Sequence, residues 1–363
     1  MDQALLFEQF DTIDACRRMQ GDVLASLGFG PIESSYHVTA SGPYWSLRDY
    51  GTAVQSRSVL IVAAPIKRPY IWDLAPPVSG IRRCLDAGLH VYLLEWLPAS
   101  EATCNVGIAE CARAISLALE TIGSGVSGQM PILMGHSFGG TLAAIYAASA
   151  PETVGGLILL SAPLCFREGE SLFRDALVSL VPSPVLDAKP YPGSILSQAS
   201  AAASPVTFIW SRYLDAISCA AAGIAMDTHA RVERWALDEV ALPGKLVSQI
   251  VEWLYRENRF HRGALEIGGR TIAPKELSAP TLAVVNMSDL VAPLNSVRPI
   301  AEMLGPERFD IIKYPGERGV CLQHLGVLIG RQAHAQVWPQ ITDWIKARSE
   351  CARNGGSAAV SAE

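Results

Sequence analysis

The residues best suited to chemistry begin with Gly135-His136-Ser137-Phe138-Gly139-Gly140. A short apolar run, Pro131–Met134, precedes them, and a small-residue helical pattern, Thr141–Ala147, follows. G-x-S-x-G at a strand-to-helix turn is a nucleophile elbow, which lifts the serine hydroxyl clear of a sheet edge. Such a turn is too tight for a Cβ at its flanking positions, which explains the glycines. The plainer alternative is that Ser137 only caps the helix. A serine hydroxyl is a weak nucleophile at neutral pH, so it needs a base, and the base needs an orienting carboxylate. The expected chain order is Ser, then Asp or Glu, then His. Asp289, in the loop Asn286–Pro293 beyond the apolar run Thr281–Val285, fits the acid, with Glu168 and Glu170 as rivals. His324, in Gln323-His324-Leu325-Gly326, fits the base. The other histidines fit less well: His37 ahead of the sheet, His90 within a strand, His229 and His261 in an interruption of the strand–helix pattern, and His334 opening the last helix. His136 is expected to pack beside the elbow or support a loop. The oxyanion hole is expected to use the N–H of Phe138 and a donor after the run Val59–Ala64. Pro65 has no N–H, so Ile66 is the candidate and Lys67 the second choice.

These residues require a scaffold. The apolar runs Val59–Ala64, His90–Trp96, Gly155–Leu160, Thr281–Val285 and Phe309–Tyr314 suit strands buried on both faces. Helical patterns separate them at Val78–Ala87, Val106–Ile122, Thr141–Ser149, Val297–Leu304 and Ala333–Arg348. Alternation of this kind predicts an α/β fold with a mostly parallel central sheet covered on both faces. With the elbow, it is the α/β-hydrolase arrangement. The alternation stops between 165 and 279, which is expected to be a helical lid inserted over the carboxyl edge of the sheet. A separate domain is the alternative. Residues 35–164 and 280–350 would then form the core, 1–34 an N-terminal helical segment, and 351–363 a flexible tail.

Half of the 363 residues are hydrophobic and 18% are charged, enough for a large core. The net charge of −6 argues against a nucleic-acid partner. The eight cysteines form no C-x-x-C pair, so no zinc ribbon or redox motif is expected, and scattered thiols suit a reducing, cytoplasmic setting. No cofactor and no metal are expected. The N-terminus has no basic run before an apolar one, so no signal peptide is expected. No apolar stretch is long enough for a transmembrane segment. The nearest is Val206–Met226, interrupted by Arg212 and Asp215 and better suited to an apolar internal helix.

Several further stretches resemble the polyhydroxyalkanoate synthases, in particular the short classes that work with a partner subunit. Ala64–Leu74, with the order Pro-Ile-Lys-Arg-Pro-Tyr-Ile-Trp-Asp from Pro65, resembles that family's loop after its third strand. Val91–Trp96 resembles the next strand, where the family usually has Asp-Trp and this chain has Glu95-Trp96. Val232–Asp238, Leu254–Asn258 and Gly263–Gly269 resemble its lid. The resemblance runs from about Ser35 to Lys346 and places Asp289 and His324 on the family's catalytic acid and base. It implies a homodimer or a partner subunit. Two positions depart from the pattern. The family's nucleophile is cysteine, here Ser137, and the residue after its aspartate is commonly histidine, here Leu290. Cysteine forms an acyl thioester, from which transfer to an alcohol runs downhill. Serine forms an oxyester, so transfer to another hydroxyl is nearly energy-neutral, whereas water or an amine still takes the acyl group favourably.

The sequence therefore predicts a serine hydrolase: an ester or thioester cleaved through acyl-Ser137, with transfer to water. The alternative within enzymes is an acyltransferase moving a hydroxyacyl or aminoacyl group from coenzyme A or a carrier protein to an alcohol or amine. Lys67, Arg68, Arg82 and Arg83 would then meet carrier phosphates, or else serve as ordinary ion-pair partners. A non-catalytic scaffold subunit of a synthase is the alternative from another class, and a broken triad would mark it.

Overall fold

The computed structural model describes residues 3–51, 57–123, 129–222 and 226–358. Its strands are β1 His37–Gly42, β2 Trp45–Asp49, β3 Ser58–Val62, β4 His90–Trp96, β5 Ile132–His136, β6 Gly156–Leu160, β7 Leu265–Ile267, β8 Arg270–Ile272, β9 Thr281–Asn286 and β10 Phe309–Tyr314. Eight of them form one sheet in the order β1-β2-β4-β3-β5-β6-β9-β10, and β7-β8 is a separate hairpin. The pairs β1–β2 and β2–β4 are antiparallel. Along the sheet from β4 to β10, that is β4-β3-β5-β6-β9-β10, every pairing is parallel. Every residue of β3, β5, β6 and β9 is buried, as strands with helices above and below require. β1 is different: an edge strand, mostly exposed, of sequence HVTASG. It has no apolar alternation, so it left no signal in the sequence. His37, expected ahead of the sheet, is the first residue of β1.

The helices are α1 Gln3–Leu24, α2 Gly80–Asp86, α3 Ile108–Ile122, α4 Phe138–Ser149, α5 Leu172–Leu180, α6 Gly193–Ala203, α7 Ser211–Ala222, α8 Met226–Leu237, α9 Gly244–Gln249, α10 Arg259–Arg262, α11 Arg298–Leu304, α12 Gly326–Ile329 and α13 Trp338–Ala358. α4 is buried from Phe138 to Ala148, and its glycines and alanines allow a helix to lie that close to a sheet. α5 to α10 and the β7-β8 hairpin all lie between β6 and β9, where the insertion is expected. α1 packs on α6 and α8, so the N-terminal helix leans on the inserted segment. Asp14 fixes it there: its carboxylate accepts the N–H groups of Gly193 and Ser194, each at 2.9 Å. α13 carries helix through residues 351–358 of the expected tail, and 359–363 lie outside the described residues.

The segment Val206–Met226 is helical around the undescribed 223–225, but it is not an internal helix. Val206, Trp210, Tyr213, Leu214 and Ile217 are each at least 60% exposed. The opposite face carries Arg212 and Asp215, which bond to neighbouring elements, and the buried Cys219, whose thiol turns back to Asp215 within the helix. Polar side chains that find partners in the interior turn the apolar stripe outward, contrary to the usual amphipathic arrangement. Among the described residues no helix is long and apolar enough to cross a membrane.

Candidate active site

Ser137 is the single residue between β5 and α4, and its backbone sits at φ 53°, ψ −132°. A non-glycine residue at positive φ is strained and is held only by its surroundings. Here backbone closes in on both flanking glycines. A Cβ on Gly135 would lie 2.4 Å from the nitrogen of Gly140. One on Gly139 would lie 2.2 Å from the carbonyl oxygen of Val62 and 2.9 Å from the nitrogen of Ala64. The expected steric need for glycine is therefore met at both flanks, and the start of α4 abuts the loop that follows β3. The Ser137 N–H donates to Leu160 O at 3.0 Å, fixing the turn to the carboxyl end of β6.

The structure brings Ser137, His324 and Asp289 together. His324 lies in a short 3-10 turn, Gln323–Leu325, beyond β10, and Asp289 lies just beyond β9. The Oδ1 atom of Asp289 accepts the N–H of Val291 at 2.8 Å and of Ala292 at 3.2 Å, while Oδ2 is 2.7 Å from His324 Nδ1. Burial raises the pKa of this carboxyl. The charge and hydrogen bond of His324 and the two amides outweigh it and hold the pKa below the ordinary value. An ionised carboxylate only accepts, so Nδ1 donates to Asp289. Nε2 faces Ser137 Oγ, 2.8 Å away, in position to accept its proton. Such a chain of contacts can take the hydroxyl proton as the oxygen attacks a carbonyl, and return it to a leaving group. Glu168 and Glu170, the rival acids, are elsewhere: Glu168 is exposed, and Glu170 sits 3.8 Å from Arg167.

His136 supports the turn that carries His324. Burial, then the neighbouring His324, lower its pKa to about 3, so its ring is neutral, and Nε2 donates to the carbonyl oxygen of His324 at 2.7 Å. Asn286, which sequence reasoning did not single out, donates from Nδ2 to Gln323 O at 2.7 Å. A strand-end asparagine next to the acid loop was the available signal.

Phe138 opens α4, where the first N–H groups have no acceptor within the helix. Ile66 follows Pro65 in the turn after β3, its side chain packed against the small apolar cluster of Val185, Leu242, Val247 and Val251. The stretch from Lys67 is tied to α8 and the residues after it. Lys67 Nζ donates to Glu239 at 2.6 Å and to Ala236 O at 2.7 Å. Arg68 lies 3.7 Å from Asp238, Trp235 Nε1 donates to Arg68 O at 2.8 Å, and Arg234 bonds to the Tyr70 hydroxyl. Two of the stretches quoted above, Ala64–Leu74 and Val232–Asp238, therefore meet each other. A third does related work: Glu95 pairs with Arg48 at 2.7 Å, and Trp96 Nε1 donates to Ala63 O at 2.7 Å, bracing the loop from behind. Arg82 lies 3.8 Å from Asp73 and Arg83 bonds to His334 at 3.2 Å. Each of the four basic residues thus has a partner within the chain.

One group has the composition of a metal site. His229, Glu233 and Cys321 offer ligand atoms within 4.8 Å of one another. Arg212, however, already holds both oxygens of Glu233, and Asp215 holds His229 Nδ1 at 3.2 Å. A cation there would have to displace a guanidinium, so the group is a closed ion-pair network. The described cysteines are all free thiols.

A family model for the alpha/beta hydrolase fold matches residues 115–324, a span that includes Ser137, Asp289 and His324. Among curated proteins, the poly(3-hydroxyalkanoate) polymerase subunit PhaC of Haloferax mediterranei is 28% identical over 303 residues, covering 80% of this chain and 59% of that protein. The subunit of Haloarcula marismortui is 26% identical over 80% of this chain and 61% of its own length. That of Thiocystis violacea is 22% identical over 89% and 90%. The chain therefore spans about three-fifths of the length of the two haloarchaeal relatives. Among solved structures, a carboxylesterase of Nitrososphaera gargenis superposes with a TM-score of 0.53 at 14% identity, over 87% of this chain and 99% of that one. A thermophilic esterase of Thermogutta terrifontis gives 0.50 at 14% identity, over 86% and 98%.

Proposed function

For a chain that belongs to the alpha/beta hydrolase fold family and is polyhydroxyalkanoate synthase-like, we propose serine acyl-enzyme chemistry on an ester or thioester. Ser137 is the nucleophile, His324 the base and then the acid, and Asp289 the orienting carboxylate. The observation that carries this is the pair of contacts at His324, 2.7 Å to Asp289 and 2.8 Å to Ser137. As Oγ attacks the acyl carbon, its proton passes to Nε2. The oxyanion is received by the N–H of Phe138 and, from the loop braced by Trp96, by that of Ile66. The leaving alcohol or thiol takes the proton from Nε2, and water, activated by the same nitrogen, releases the acid and frees Ser137. A donor of this type is worth about 10² to 10³ in rate, which gives the bracing of the loop its purpose.

The similarity to polymerase subunits over most of the chain favours a second outcome at the same serine, in which an alcohol or amine acceptor replaces water. The oxyester at Ser137 makes transfer to an alcohol nearly thermoneutral, so hydrolysis is the preferred assignment. The test is the intact mass of the protein after incubation with a panel of acyl esters and acyl-coenzyme A thioesters, beside Ser137→Ala. A mass increment on the wild type that is lost in the variant, and that decays in water alone, supports the hydrolase. Decay only with added alcohol or amine supports transfer. No increment, together with no labelling by a fluorophosphonate, would overturn both and leave a scaffold subunit.

A further inference from the structure

The stretch 319–322 leads from the end of β10 into the turn that carries His324. Two of its residues have left-handed backbone, Gly319 at φ 87° and Cys321 at φ 60°. For a cysteine this conformation is costly and persists only where neighbours over-determine it. The N–H groups of 319 and 321 turn to one side, a concavity that suits an anion. A carboxylate of the inserted segment fills it. Asp215, on α7, accepts Gly319 N–H on Oδ1 and Cys321 N–H on Oδ2, each at 2.7 Å.

The carboxylate is itself held on its other side. His229 on α8 lies 3.2 Å from Oδ2, and the Cys219 thiol, one turn further along α7, lies 4.0 Å away. Beside them, Glu233 of α8, paired with Arg212, accepts the Cys321 thiol at 3.1 Å. Cys321 is thus gripped through its main chain by α7 and through its side chain by α8. On the far side of the turn, His136 and Asn286 hold the carbonyls of His324 and Gln323. Only Leu322 separates the stretch bound by the insertion from the turn bound by the core.

We propose that Asp215 is a positioning residue for His324. The inserted helices, by seating this carboxylate on residues 319–321, set the entry to the turn and so the place of the base. Without the two bonds, the left-handed Cys321 relaxes, Leu322 and Gln323 follow, and Nε2 leaves the line to Ser137 Oγ. Docking of α7 and competence of the base become one event. The proposal rests on the assignment of Ser137 and His324 made above.

The full-length protein is tested as wild type, Asp215→Ala and Asp215→Asn. Three quantities are read: the rate of fluorophosphonate labelling of Ser137, kcat and KM on a p-nitrophenyl ester, and hydrogen exchange at the amides of 319 and 321. Misplacement of a reacting group by about 1 Å can cost about 10²-fold. That loss is expected in kcat and in labelling for Asp215→Ala, with KM unchanged and with protection lost at 319 and 321 but kept in β5 and β6. Asp215→Asn keeps one acceptor oxygen and the side-chain shape, and an intermediate loss is expected. If the alanine variant does not fold, the asparagine variant decides by the same criteria. Loss of protection with wild-type kcat and labelling would overturn the proposal, as would a fall in kcat with protection intact, or no change in either. A wild type that is not labelled at Ser137 would instead overturn the parent assignment, so the two failures are distinguishable.

Discussion

Gly139→Ala tests the elbow most directly. The added Cβ would sit 2.2 Å from Val62 O, 2.8 Å from the carbonyl carbon of Ala63 and 2.9 Å from the nitrogen of Ala64. All three are backbone atoms of a buried strand and the loop leaving it, so no side chain can swing aside. The strand–loop and the start of α4 must separate by roughly 1 Å to restore ordinary van der Waals contact. Overpacking of this kind costs about 1–3 kcal/mol of stability. The same displacement pulls the N–H of Phe138 away from the loop after β3, where the proposed oxyanion donors would converge. A shift of that size can cost about 10²-fold in rate. Gly30→Ala is the control, because its Cβ would meet only Ala25 at 3.6 Å. The rate of fluorophosphonate labelling at Ser137 and the melting temperature are measured for both variants. The control is expected to match wild type. Gly139→Ala is expected to lose about 10²-fold in labelling and to melt lower. Wild-type labelling and melting in Gly139→Ala would refute the claim that this contact is rigid, and with it the placement of the oxyanion loop.

Asp289→Asn is expected to lower kcat on an ester probe by about 10⁴, as in other triads; a loss under about tenfold would move the acid elsewhere. Ser137→Cys is expected to raise alcohol transfer relative to hydrolysis when a thioester donor and an alcohol are both supplied, because the thioester intermediate makes that transfer downhill. A product analysis showing both activities reduced would count against it. The acid limb of stability should also be visible. Burial lowers His136 to about 3 and His334 to about 4, from an ordinary 6.5. Both are neutral when folded and protonated in the unfolded chain below 6.5, so unfolding takes up protons. The stabilisation is complete above about 6.5 and is lost as pH falls toward 4 and then 3, whereas that of Asp289, lowered from 3.8, is kept down to about 3.8 and is lost only below it. Calorimetric melting temperatures across that window should fall, and fall less in His136→Gln. A flat profile would contradict the assigned neutral rings.

What the sequence made legible was set by local sterics and by topology. The glycines around Ser137 answer to backbone clashes, with the start of α4 at Gly135 and with the loop after β3 at Gly139, and the placing of Asp289 and His324 beside Ser137 follows from where a strand's carboxyl end must lie. The buried strands showed as unbroken apolar runs. β1 did not, because an exposed edge strand of Thr, Ala, Ser and Gly has nothing to bury. Asp215 was hidden for a different reason. Its partners are main-chain N–H groups of 319 and 321, which any sequence would supply, and a carboxylate in a helix is by default a solvated one. α7 misled in the same way, since hydropathy alone would put its apolar stripe inside.

That inverted helix has a thermodynamic consequence. Because α7 meets the rest of the protein through the polar bonds of Arg212 and Asp215 rather than through its apolar side, lifting it away would uncover little new hydrocarbon. Heat capacity and denaturant sensitivity both scale with the surface that an opening exposes. An opening of α7 would therefore carry small values of both. Such a motion would leave almost no trace in a urea titration or a calorimetric baseline, while salt, which weakens ion pairs, would move it.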